Sequence, residues 1–465
     1  MPHPMPIKIF SAPGSRSAVG LALALLIGAA SGSAQGESLQ GAWTKAYASN
    51  PTIAAERARL RSVDEGVPQA LSGWRPRVTV TGQAGATYTD QQGQFNSGAD
   101  TNFPTSINST LTQPLYRGGR TTADTKRAMA EMQSARAALM NVEQQIMLDV
   151  GTAYMEVLRD QAVVELTVNN QIVLERQLQA TQDRFSVGEV TRTDVAQAEA
   201  RVSRAAADLQ TARADLETSR AFYTRQVGEP PVDLEPPNMV GGAPESLAAA
   251  VAVAADFNPI VIQAIRNHEA AGHVVRLILG ELYPSLDLNG QLQQAFEPND
   301  NTDEIFRAQA TIDLTAPLYQ SGSVYARVRG AKQAESQALQ EIEESRRVAI
   351  EGATQAWEQV VAQRARIVAL ESEINANEIA LEGVQQEALV GTRTVLDILD
   401  AEQALLDSRV NLVRARRDEF VAVFDLITAV GGMTAERLAL DVPLYDPTSH
   451  YKAVRGQWFG TAPNQ

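Results

Sequence analysis

The chain carries one pattern twice. Glu37-Ser38-Leu39 returns as Glu245-Ser246-Leu247, Asn50-Pro51 as Asn258-Pro259, Pro76 as Pro284 and Gly82 as Gly290, each pair 208 positions apart. Beyond Leu111 the offset is 203. Pro114-Leu115-Tyr116 returns as Pro317-Leu318-Tyr319, Gly119 as Gly322, Val187-Gly188 as Val390-Gly391, Asp194 as Asp397 and Ala198-Glu199 as Ala401-Glu402. A collinear series with one change of offset marks a tandem duplication. The change falls between Gly82 and Leu111 and predicts a longer loop in the first copy. The copies are read as 35–227 and 245–430, with a connector at 228–244 and a tail at 431–465.

Each copy opens with a helix, for which Asn50 or Asn258 supplies the cap and the next proline the first helical position. Two strands follow. Val78, Val80, Gly82 and Ala84 alternate with Thr79, Thr81 and Gln83, and Ile107 and Leu111 alternate with Asn108, Thr110 and Thr112. In the second copy Leu286, Leu288 and Leu292 alternate with Asp287, Asn289 and Gln291, and Phe306, Ala308, Ala310 and Ile312 with Arg307, Gln309 and Thr311. Period two predicts a sheet with one apolar and one wet face. The segments near 90–104 and 297–305, rich in Asn, Asp, Gln and Gly, read as loops.

No proline occurs from Leu115 to Glu229 or from Leu318 to Val442, and each stretch is broken once, at a Val-Gly step. The first helix, from Thr122 to Phe185, would run about 95 Å at ~1.5 Å per residue. On the returning helix Val195, Val202, Leu209, Leu216 and Tyr223 recur every seventh residue, with Ala198, Ala205, Ala212 and Ser219 three later. Ile398, Ala401, Leu405, Ser408, Leu412 and Ala415 repeat that register. This is a coiled-coil seam with one line of small residues. The connector holds five of the 21 prolines, and the tail, lacking periodicity, reads as partly loose.

At the N-terminus, Lys8 and Arg16 precede an apolar run from Val19 to Ala30, and Gly32-Ser33-Ala34 follows. This predicts a signal peptide over 1–34, its apolar core of about twelve residues being too short for a bilayer. No other segment is read as a transmembrane helix, so a mature chain in a membrane enters as strands. The absence of cysteine excludes disulfides, thiolate metal sites and lipidation on cysteine. A formal charge of −15 argues against nucleic acid. His268 and His273 imitate a zincin motif, but a five-residue spacing points them apart on a helix. No cofactor, metal or catalytic cluster is assigned, and an enzyme is not expected.

Four strands cannot close a barrel, and an open edge in hydrocarbon leaves peptide groups unpaired at several kcal/mol each, about 2–7. Several protomers must therefore share one barrel if the strands span a bilayer, and three would supply twelve strands. Trp74, Tyr116, Tyr283 and Tyr319, all at strand ends, are candidate interface aromatics. The competing arrangement is a soluble sheet packed on helices.

This arrangement resembles the TolC family of trimeric outer-membrane channel proteins. The most specific stretch is Val390-Gly391-Thr392-Arg393-Thr394-Val395-Leu396-Asp397-Ile398-Leu399-Asp400-Ala401, with Phe185–Asp194 and Gln113-Pro114-Leu115-Tyr116 in support. Tyr445-Asp446-Pro447 through Trp458-Phe459-Gly460 resembles the subset associated with type I secretion. The resemblance implies an α+β membrane protein, a twelve-stranded trimeric β-barrel in the outer membrane continued by an α-helical coiled-coil barrel in the periplasm. The implied partners are outer-membrane lipid, a periplasmic adaptor (membrane fusion protein) and an inner-membrane transporter of ABC or RND type. The cargo would be secreted protein, drugs or metal. By resemblance Asp397 and Asp400 ring the periplasmic aperture, Arg393 ties it shut, and Thr193 and Asp194 join its network. A family tyrosine falls on Ala388. The turns Val187-Gly188-Glu189 and Val390-Gly391-Thr392 would contact the adaptor. On residues alone, Thr191-x-x-Asp194 and Thr394-x-x-Asp397 are equally capping boxes, and only Asp400 lies beyond the cap. The alternative function is a periplasmic coiled-coil adaptor or scaffold.

Overall fold

A computed structural model describes residues 36–92, 97–239, 241–299 and 302–462. The expected signal peptide, 1–34, lies outside them. The chain from Glu37 onward forms one unit. The first copy runs α1 (Leu39–Ser49), α2 (Pro51–Asp64), α3 (Gly66–Leu71), β1 (Arg77–Ala84), β2 (Thr87–Gln92), β3 (Ser97–Asn102), β4 (Thr105–Arg117), α4 (Arg120–Ser186) and α5 (Arg192–Val227). The second runs α6 (Leu247–Phe257), α7 (Pro259–Leu279), β5 (Ser285–Asn299), β6 (Thr302–Thr315), α8 (Ser323–Leu389) and α9 (Val395–Ala429), and α10 (Ser449–Val454) closes the chain.

The Asn-Pro steps do more than start a helix. Asn50 Oδ1 accepts from the Thr52 N–H at 2.9 Å, and its Nδ2 donates to the Gln226 carbonyl at 3.0 Å. Asn258 does the same with Ile260 at 2.9 Å and Ala429 at 2.9 Å. Each asparagine therefore caps one helix and ties it to the last turn of its copy's returning helix. A further helix precedes each step, capped by Ser38 or Ser246. Contrary to the sequence expectation, 247–282 is long and apolar enough to cross a membrane by length and composition. The Asn258 cap divides it, and its halves pack on α4 and α8 instead.

The sheet has the order β1-β4-β5-β6, antiparallel throughout. Facing pairs separate by polarity. Val78 faces Leu111, Leu292 faces Ala308 and Leu288 faces Ile312 on one side; Thr81 faces Asn108, Gln291 faces Gln309 and Asp287 faces Asp313 on the other. The wet side is cross-linked. Thr112 Oγ1 donates to Asn289 Oδ1 at 2.9 Å, Gln291 Nε2 to Asn108 Oδ1 at 3.0 Å and Asn289 Nδ2 to Asp313 Oδ2 at 2.5 Å. Pro114, lacking an N–H, sits at the one register shift between β4 and β5. The segments read as loops are mostly strand: β2 and β3 form a separate hairpin beyond β1 and β4, and β5 and β6 reach Asn299 and Thr302. Backbone pairing needs no apolar side chain, so polar composition hid these extensions.

Strands meet helices at glycine. Gly118 takes φ +60°, and a Cβ there would lie 2.2 Å from the Gly280 carbonyl oxygen. Gly280 in turn is crowded by the Gly118 carbonyl and Arg120. The two copies' strand–helix corners thus meet backbone to backbone.

α4 and α8 have 67 residues each, about 100 Å. α4 pairs with α5, α8 with α9, and α4 joins α9 between the hairpins. The seam is buried where expected, at Ala198, Ala205, Leu209, Ala212, Leu216, Ser219 and Tyr223, and at Ile398, Leu405, Ser408 and Ala415. On the free side of α8, Tyr325, Leu339, Val361, Val368 and Ile379 are exposed. At ~100° per residue they fall within about 40° of one another, one stripe along the whole helix.

Midway, a belt of core ties both hairpins to α1. Gly151 lets Phe424 and Trp43 close on α4, and those rings meet edge to face at 5.7 Å. The Trp43 indole N–H donates to the Met147 carbonyl at 2.8 Å. Met433, Ala435, Leu438 and Leu440, beyond α9, share this core.

The tail, expected to be partly loose, is packed. The Tyr445 N–H donates to the Tyr47 hydroxyl at 3.0 Å, and Arg57 lies over both rings. His450 Nδ1 stands 3.5 Å from the fully buried Asp64 carboxylate. Burial pushes the Asp64 carboxyl up, against the pull of Arg136 and His450. Removing the imidazole leaves that carboxylate more poorly matched, at a cost of about 1–3 kcal/mol. His450→Leu is expected to speed limited proteolysis of 443–462 while α4 to α9 stay resistant; unchanged cleavage would show that α10 is held by its aromatic contacts alone.

Candidate functional site

The two Val-Gly turns form the end of the long hairpins remote from the sheet. Each helix stops on a left-handed glycine, Gly188 at φ +82° and Gly391 at +83°. The carbonyls left over are met by the chain itself: Glu189 N–H donates to Arg184 O at 3.0 Å, and Thr392 N–H to Glu387 O at 3.0 Å. Val187 and Val390 remain 71% and 77% exposed at the turns. Inside the tip, Leu174, Ala198 and Ala205 of the first hairpin pack with Val395 and Leu399 of the second.

Both capping boxes form. Thr191 N–H donates to Asp194 Oδ2 at 2.8 Å and Thr394 N–H to Asp397 Oδ2 at 2.9 Å, and the return bonds to the threonine hydroxyls are 3.3 Å in each. The bonds from Thr394, with a smaller contribution from Arg393, hold the Asp397 carboxyl below its ordinary value. Asp397 therefore keeps its charge, and the cap its contribution, until pH falls through that lowered value.

Arg393 is held within its own hairpin. Its Nε donates to Glu387 Oε2 at 2.8 Å, and Nη1 lies 3.9 Å from Asp397 Oδ1. The Glu387 carboxylate beside it pushes the Arg393 guanidinium above its ordinary value. Thr193, exposed, and Asp194 stay with the other turn. Ala388 is buried. Asp400 is not a free carboxylate: Arg201 of α5 donates to it from the neighbouring hairpin. Its side chain is still 57% exposed. Sequence reasoning missed Arg201 and Glu387. A signal for Arg201 existed, since it lies one turn beyond Gln197, the repeat mate of Asp400, on the matching helix.

His268 Nδ1 lies 3.3 Å from the Glu335 carbonyl, and among the described residues no three His, Cys, Asp or Glu side chains could hold an ion.

The family model described as outer membrane efflux protein matches residues 43–226 and 252–432. The outer membrane efflux protein BepC of Brucella suis is 34% identical over 426 residues, covering 91% of this chain and 92% of the relative. The outer membrane protein TolC of Vibrio cholerae is 26% identical, covering 90% and 95%. Among solved structures, the Campylobacter jejuni CmeC outer membrane channel superposes with a TM-score of 0.77 at 13% identity, covering 90% of this chain and 89% of that one.

Proposed function

Because this chain belongs to the outer membrane efflux protein family, and so serves as an outer-membrane exit duct, we infer that three copies close one pore between the periplasm and the outside. The observation that carries this is the sheet: four strands, one apolar and one wet face, and unpaired edges at β1 and β6. The alternation along the sheet makes β1 of one copy antiparallel to β6 of the next, a head-to-tail contact that closes as a ring. The exposed stripe on α8 supplies the matching contact between helical hairpins. The apolar strand face meets lipid, and the Thr, Asn, Gln and Asp face lines water.

At the far end Asp397, Asp400 and Arg393 surround the aperture, with Thr193 and Asp194 on the adjoining turn. Three copies bring six carboxylates together, which favours cations over anions. The exposed valines beside Gly188 and Gly391, with Glu189 and Thr392, offer the turns to a periplasmic adaptor, which links the duct to an inner-membrane ABC or RND-type transporter. Energy comes from that transporter, and the duct itself performs no catalysis. Efflux agrees with the name of the Brucella suis relative; the tail's resemblance to the type I subset favours protein secretion as a second cargo.

The test is purification without bias toward either state. A detergent-requiring trimer with cation-selective conductance in a planar bilayer is expected. A monomer soluble without detergent would sink the shared barrel.

A further inference from the structure

The tail ends beside the sheet. Arg75 lies over the Trp458 ring, 4.8 Å from its centroid, and donates from Nη1 to the Gln457 carbonyl at 2.8 Å. Arg75 follows Trp74, whose carbonyl accepts from Gln113 of β4 at 2.9 Å, and precedes the first residue of β1 by two. Trp458 therefore stands at the level where strands give way to helices. That level also carries Trp74, Tyr116, Tyr283 and Tyr319, all exposed.

The tail's own aromatics do not complete a core. Trp458 is 57% and Phe459 87% exposed. Nor are they a frayed end, because the turn that presents them is bonded: Gln457 N–H to the Val454 carbonyl at 3.0 Å, and Gln457 Nε2 to the Phe459 carbonyl at 3.1 Å. An ordered turn holds two large apolar side chains out of the fold. Cations accompany them: Arg75 lies over Trp458, Arg455 directly follows α10, and Lys452 on α10 stands 3.7 Å from Asp446. The acidic groups nearby are Glu65, in the groove behind Trp458, and Asp446, which pairs with Lys452.

We propose that the C-terminal turn is an interfacial anchor, with Trp458 and Phe459 seated among the headgroups of the periplasmic leaflet and Arg75 and Arg455 on the phosphates of anionic phospholipid. This rests on the reading that the sheet spans the membrane. Aromatic side chains with one apolar and one wet side favour that depth, and a cation beside an anionic surface adds to it. The anchor continues the belt of strand-end aromatics onto the helical part.

The absence of cysteine makes the test clean. Phe459→Cys and, separately, Ile107→Cys on the apolar strand face each take one nitroxide. Both are placed in nanodiscs of phosphatidylethanolamine and phosphatidylglycerol, and collision with oxygen is compared with collision with a water-soluble nickel chelate. Oxygen is expected to dominate deeply at 107 and, at shallower depth, at 459. Nickel dominating at 459 while 107 stays in lipid overturns the anchor alone. A label at 459 shielded from both reagents overturns it in favour of contact with a neighbouring protomer. Nickel dominating at both positions removes the membrane-spanning sheet and the anchor together.

Discussion

Gly118→Ala is expected to abolish assembly of the oligomer, whereas Gly119→Ala one residue later is expected to weaken it only slightly. The two glycines share a left-handed backbone, at φ +60° and +77°. Any L-residue there pays a similar conformational cost, about 1–2 kcal/mol. They differ in what a methyl group would meet. At Gly119 nothing lies within 4 Å; at Gly118 the new Cβ would sit 2.2 Å from the Gly280 carbonyl oxygen and 2.9 Å from Tyr283 Cβ. The first obstacle is backbone and cannot rotate away, so overpacking adds about 1–3 kcal/mol or more. The joint lies between β4 and α4 of one copy and α7 and β5 of the other, so a shift there misaligns the sheet edges in every protomer. The measurement is the fraction of heat-modifiable oligomer on gels of detergent-extracted outer membranes. Equal losses in the two variants would mean that backbone conformation, not close approach, explains the corner.

The corner also shows what kind of information the sequence carried. Gln113-Pro114-Leu115-Tyr116 was legible as a strand-to-helix corner only through the resemblance, and what Gly118 meets across it was not legible at all. The two faces of the sheet were legible from the residues themselves: period two survives in Leu286, Leu288 and Leu292 whatever lies across from them. Contacts between segments remote in sequence were not legible. α1 and α6 have no long periodicity and are fixed by burial against α4 and α8. The β2–β3 hairpin is Thr, Asn, Asp, Gln and Gly, a composition that loops share, and only the ladder distinguishes it. The tail read as loose because its partners, Tyr47, Arg57 and Asp64, lie some 400 residues earlier. At the tip, the caps at Asp194 and Asp397 were visible in the four-residue pattern. The partner of Asp400 was not, because it belongs to another hairpin.

That last pair changes where resistance to opening should be sought. The resemblance put the tie on Arg393, but Arg393 bonds Glu387 and Asp397, residues of its own hairpin, and those bonds survive if the two hairpins separate. Arg201 and Asp400 join α5 to α9, so widening the tip must break them. One such partly exposed pair is worth about 0.2–1 kcal/mol. In the proposed trimer three pairs would be lost at once, about 0.6–3 kcal/mol, which is roughly a 3- to 150-fold change in the open fraction. Arg201→Ala and Asp400→Ala are each expected to raise single-channel open probability in planar bilayers by that order, and to make cells more sensitive to vancomycin. Arg393→Ala should change either readout less. The exchange Arg201→Asp with Asp400→Arg restores the pairing without restoring either residue, so it should return the channel toward the closed state. If the exchange stays as open as the single variants, the pair does not hold the hairpins together, and the aperture is governed by the apolar contact of Val395 and Leu399 with Leu174, Ala198 and Ala205.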